Sequence, residues 1–154
     1  MLYYINKEHV FCFWVLLFEK VMIFEEEFCM THIPIEVVPH LESAIYLPML
    51  LIVLEKDYAL IEAGPFKLKR PYFHLIDEAK KLVTNDLKHT KSYLKKNDLK
   101  VVQGERDEMF TEYLFYYKKI MEVRRYSNIR LRNRVEDLLQ CYLSKASNNQ
   151  SAMG

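Results

Sequence analysis

Apolar positions crowd the front of the chain and become periodic only toward its middle. Val10 to Phe18 is an unbroken apolar run, followed by Glu19 and Lys20, then Val21 to Phe24, then Glu25-Glu26-Glu27. It carries no one-sided stripe, so residues 8 to 28 predict a very apolar helix or a helix plus a strand. Pro34 and Pro39 fix backbone angles and remove donors, so residues 31 to 39 predict an extended connector. From Leu41 to Leu60 the chain is apolar nearly all round, as in a helix at the centre of a core, with Pro48 either starting that helix or kinking it. Gly64-Pro65 marks a turn, and Phe66 and Leu68 alternate with Lys67 and Lys69, which predicts a short extended segment around 64 to 70.

Pro71 suits the first turn of a helix, and Tyr72, Leu75, Ile76, Ala79, Leu82, Val83, Leu87 and Leu94 recur behind it at spacings of three and four. Asn97-Asp98 closes that helix, and Leu99 to Gln103 predicts a short linker or edge strand. From Glu105 to Ser144 the positions Met109, Tyr113, Leu114, Tyr117, Ile120, Met121, Leu131, Val135, Leu138, Leu139 and Tyr142 fit helical spacing, with capping residues Ser127 and Asn128 at a break or bend. The tail from Ala146 is small and polar and predicts disorder. These elements describe an all-α fold: a small helical bundle with one short extended segment, a single helical domain over residues 31 to 145, an apolar N-terminal segment over 1 to 30 and a disordered tail over 146 to 154.

Composition supports few turns. Three glycines and five prolines in 154 residues disfavour a many-stranded sandwich and any glycine-rich nucleotide loop. The net charge of +1 hides an asymmetry: residues 1 to 60 balance to −6 and residues 61 to 154 to +7. An acidic, apolar front is thus joined to a basic back, which can steer a polyanion or bring two subunits together. The three cysteines, at 12, 29 and 141, fit buried or idle thiols in a reducing cytoplasm. The run Val10 to Phe18 is too short to span a bilayer and is followed by no cleavage site, so a membrane location is disfavoured. Met22 and Met30 lie downstream of the run, and the first 21 to 29 residues then read as an upstream translated extension.

Candidate chemistry is sparse. His32, Glu36 and His40, with Cys29 nearby, have the spacing of metal ligands on a helix, but Pro39 interrupts such a helix, so connector residues are expected there and no metal or cofactor. His74 and His89 have no nucleophile at motif spacing, and the pairs Asp107-Glu108 and Glu136-Asp137 diverge on a helix and are expected to face solvent. The basic residues say more. Lys67, Lys69 and Arg70 precede a helix N-terminus that favours anions. Arg124, Arg125, Arg130, Arg132 and Arg134 fall close together and are interleaved with Tyr126, Asn128 and Asn133, residue types that contact phosphates and bases, although a solvated helix face would look the same. Phe110, Tyr113, Phe115, Tyr116 and Tyr117 form a dense aromatic stripe suited to a core or to a protein interface.

The block Ile61 to Tyr72, with Asp107 to Tyr117 and Leu131-Arg132-Asn133, resembles small uncharacterised proteins of phages and prophages of Bacillus-type bacteria, over roughly residues 41 to 143. The resemblance implies a bacterial cytosol and an accessory or regulatory role, and transfers no site residues. Two expectations follow. In the first the protein is a non-enzymatic interaction or regulatory protein, binding a protein partner or a second copy through Phe110, Tyr113, Tyr116 and Tyr117. In the second its basic residues bind DNA or RNA. An enzyme comes third, because no nucleophile with its base can be assembled.

Overall fold

The computed structural model describes residues 32–151, with side chains to residue 149; the apolar segment 1 to 30, Cys12 and Cys29 lie outside the described residues. The chain runs through helix α1 (Val38–Ala63), helix α2 (Arg70–Lys96), strands β1 (Leu99–Arg106), β2 (Phe110–Tyr117) and β3 (Ile120–Ser127), and helix α3 (Asn128–Ser151). The fold is α+β, and the three-stranded sheet overturns the all-α helical bundle expected from spacing.

Helices α1 and α2 begin with a proline in the first turn, Pro39 and Pro71, where the missing N–H has no intrahelical partner to lose. Pro48 lies inside α1, which continues through it. The helix ends where the Gly64 N–H donates to the Leu60 carbonyl at 2.9 Å. Residues 65 to 69 form an irregular connection, not the extended segment that the alternation of Phe66 and Leu68 predicted, and both side chains are exposed. The helix α2 stops at Asn97, whose side-chain amide donates to the Tyr93 carbonyl, and Asp98 turns the chain at a φ of 53°. Tyr58 stacks on Phe73 with centroids 4.4 Å apart, fastening α1 to α2.

The strands form an antiparallel meander, β1-β2-β3, with β2 in the middle. Tyr113, Phe115 and Tyr117 alternate along β2 and point inward, and Phe115 is completely buried. On β3 Tyr126 shares that face and contacts the Tyr113 ring edge-on at 5.9 Å. Helix α3 starts at Asn128, at the break expected there, with the Asn128 side chain hydrogen-bonded to Thr111 and to the Asp107 carbonyl, and it buries Leu131, Val135, Tyr142 and Ala146. Its last turns include residues 146–151, where a disordered tail was expected. Three cross-links join the layers: the Tyr126 hydroxyl donates to Glu42 of α1 at 2.9 Å, the Tyr142 hydroxyl donates to Asp86 of α2 at 2.6 Å, and Lys80 of α2 pairs with Glu55 of α1 at 3.8 Å.

Candidate protein-interaction surface

Directly paired residues in an antiparallel sheet share a face. The inner face, with Leu99, Val101, Thr111, Tyr113, Phe115, Tyr117, Ile120 and Tyr126, packs on the helices. The outer face carries two apolar rows, Val102–Leu114–Val123 and Tyr116–Met121, the second ending in Lys100. Val123 is 53% exposed and Met121 54%, and no described element covers either row. Leu114 lies against bare backbone, since a Cβ at Gly104 would come within 2.9 Å of its Cδ1. At the other end of the face Glu112 pairs across the strands with Arg125, and Phe110 lies under the Arg125 guanidinium at 4.6 Å.

The aromatic stripe therefore divides by strand alternation. Phe110 and Tyr116 belong to the open face, whereas Tyr113 and Tyr117 belong to the core side, as Phe115 does. Sequence reasoning missed Val102, Leu114, Met121 and Val123, since their surface role follows only from a period of two and from the register between strands.

The five arginines expected to share one surface are separated. Arg124 lies on the inner face, bonded to Glu122 at 2.8 Å and over the Phe115 ring at 5.2 Å. That bond holds the Glu122 carboxyl below the usual range, against the opposing effect of burial. Arg125 lies on the outer face and is neutralised by Asp107 at 2.8 Å. Arg130 and Arg134 sit one helical turn apart and line a polar cleft of about 600 Å³ with Glu42, Tyr46, Asn133 and Asp137. Arg132 is exposed and does not line this cleft.

Lys67, Lys69 and Arg70 do stand at the α2 N-terminus, with Lys69 bonded to the Glu62 carbonyl at 2.6 Å. The adjoining Phe66 and Tyr72 share an apolar pocket of about 360 Å³ with Leu139 and Leu143 of α3. The basic loop thus lies beside the later turns of α3, about 8 to 13 Å along the axis from Arg134 at 1.5 Å per residue. The two basic groups form separate patches.

Among the described residues no three His, Cys, Asp or Glu side chains are grouped to hold a metal ion. His40 instead stacks on Tyr93 with ring centroids 3.8 Å apart. Asp107, read from sequence as a solvated helical residue, is a turn residue: its Oδ1 accepts from the N–H groups of Met109 and Phe110 at 2.7 and 2.6 Å. Cys141 is exposed and unbonded, not buried. No helix among the described residues is long and apolar enough to cross a membrane.

Comparison with known proteins agrees with the extent of the described domain. The family model for the YhjD protein matches residues 32–147. The uncharacterised protein YhjD of Bacillus subtilis (strain 168) is 39% identical over 108 residues, which cover 70% of this chain and 90% of that protein. No solved structure matches the chain. The phage and prophage origin implied by the earlier resemblance is part of neither finding, but the Bacillus connection is. The chain therefore belongs to the YhjD protein family.

Proposed function

We propose that the protein is a non-enzymatic interaction protein of the bacterial cytoplasm, acting in an accessory or regulatory role through the outer face of its sheet. The observation that carries this reading is the pair of apolar rows on β1, β2 and β3 that no described element covers. Single exposed apolar residues are ordinary, whereas adjoining rows across three strands leave a continuous surface that gains free energy when covered. The nucleic-acid alternative has less support, because its arginines face four directions and two of them are already paired with carboxylates.

A photo-crosslinking residue placed at Val123 in the native cell tests the reading, with the same residue at exposed Lys88 of α2 as control. A defined protein adduct is expected from position 123 and none from position 88, and the adduct should disappear when Met121 is also changed to Glu. Equal labelling at both positions, or none at 123, would overturn the proposal.

A further inference from the structure

We infer that the occupant of the open face is a second copy of this chain, packed sheet against sheet across a two-fold axis. The inference rests on the reading of that face as an interface and adds the identity of the partner.

One feature of the face favours self-association, and a second limits its strength. The first is its order of polarity along the strands. The row containing Lys100 lies two residues beyond Leu114 on β2, and Glu112 lies two residues before it. A two-fold axis lying between the sheets and crossing the strands at Leu114 stacks the row Val102–Leu114–Val123 of one copy on the same row of the other. It also reverses the strand direction, so the Lys100 end of each copy lies over the Glu112 end of its mate. Lys100 on β1 is then offset from Glu112 by one strand spacing, about 4.8 Å, which a lysine side chain spans. Arg125 shares the Glu112 end, and its charge is taken up by Asp107 at 2.8 Å, while Glu112 stands 3.9 Å from it and remains open to a second cation. The face is thus basic at one end, apolar in the centre and acidic at the other, and such a surface complements itself under this rotation and no other partner is needed to satisfy it.

The second feature is size. Three strands of eight residues present a face of about 27 by 14 Å, smaller than the ~800 Å² that each partner contributes to a standard interface. So small a face makes a weak, reversible dimer, which should dissociate on dilution.

Sedimentation equilibrium of the full chain at low salt, from about 1 to 200 µM, tests this directly. Concentration-dependent dimerisation is expected. The single variants Lys100→Glu and Glu112→Lys should each weaken it by about tenfold or more, since each brings like charges together twice per dimer. An equimolar mixture of the two variants should associate about as well as the original chain, because in every mixed pair position 100 of each copy meets the opposite charge at position 112 of its mate. This recovery also demonstrates that both variants fold. A wild-type chain that stays monomeric at the highest concentration, or a mixture no tighter than its components, would overturn the inference.

The crosslink from Val123 separates failure of this inference from failure of the reading beneath it. An adduct at twice the chain mass supports both. An adduct with a different polypeptide, from a chain that sediments as a monomer, overturns the second copy and leaves the interaction reading standing. An internal crosslink at the mass of one chain, or no crosslink, overturns both.

Discussion

Asp107 joins three segments through one side chain and its backbone. Its carboxylate accepts two backbone N–H groups of the β1–β2 turn and the Arg125 guanidinium of β3, while its carbonyl accepts the Asn128 amide at the start of α3. The two backbone bonds, with Arg125, hold its carboxyl below the usual range. A depressed folded-state pKa gives stability that is present above the unfolded value, about 3.9, and is lost as pH falls through the folded value. Asp107→Asn keeps the acceptor and removes the charge. It should lower the thermal midpoint at neutral pH, and the gap from wild type should close as the pH is taken below about 4. Tyr126 makes a different kind of link, from the inner sheet face to Glu42, and burial pushes its phenol up so that it stays a donor throughout the ordinary pH range. Tyr126→Phe should cost about 1–2 kcal/mol in chemical denaturation, because a hydrogen bond to a carboxylate is lost while the ring stays packed.

At the scale of elements, the helices were legible and the two later strands of the sheet were not. Periodicity and Pro71 in a first turn located α2, and the nearly continuous apolar stretch located α1, although Pro39, read as part of an extended connector, stands in the first turn of that helix. Strands β2 and β3 were read as one helical region because Met109, Tyr113, Leu114, Tyr117, Ile120 and Met121 satisfy spacings of three and four by coincidence, whereas Leu99 to Gln103 of β1 was read as a short linker or edge strand. The competing signal was the alternation Thr111, Tyr113, Phe115, Tyr117 in a segment dense in aromatic and β-branched residues. The turn that should have separated β2 from β3 is Lys118-Lys119, with neither glycine, proline nor asparagine, and Lys118 adopts a φ of 52° that its sequence does not announce. Of the candidate surface only Phe110 and Tyr116 were legible, since the rest depends on register between strands. Phe115 shows how much the hidden alternation matters. It was read as one of a stripe of helical aromatics suited to a core or an interface, and the strand alternation is what assigns it to the centre of the inner face, where it is wholly buried; Phe115→Ala should cost about 3–5 kcal/mol by calorimetry or denaturant titration.

For the whole molecule, the +7 balance of residues 61 to 154 does not become one basic surface. Arg124 and Arg125 project from opposite faces of the same strand, and Arg130 and Arg134 line a cleft that also holds Glu42 and Asp137. Weak binding to a random DNA duplex is therefore expected, and neutralising Arg130 and Arg134 should lower the salt dependence by no more than about two phosphate contacts. A loss of about five contacts would mean that the arginines act together.

The two tyrosine cross-links also set an order of assembly. Helices α1 and α2 form a hairpin, and the strands form a meander, so both rely on neighbours close in sequence. Helix α3 closes over them from the far end of the chain, where Tyr142 reaches back 56 residues to Asp86. During synthesis the hairpin and meander emerge first and must wait, with part of their core uncovered, for α3 to arrive. Late docking of α3 makes it a brake on unfolding: Tyr142→Phe should raise the unfolding rate and leave the refolding rate nearly unchanged in stopped-flow measurements. Persistence of the folded molecule, and hence its resistance to cellular proteases, is then set by its final helix.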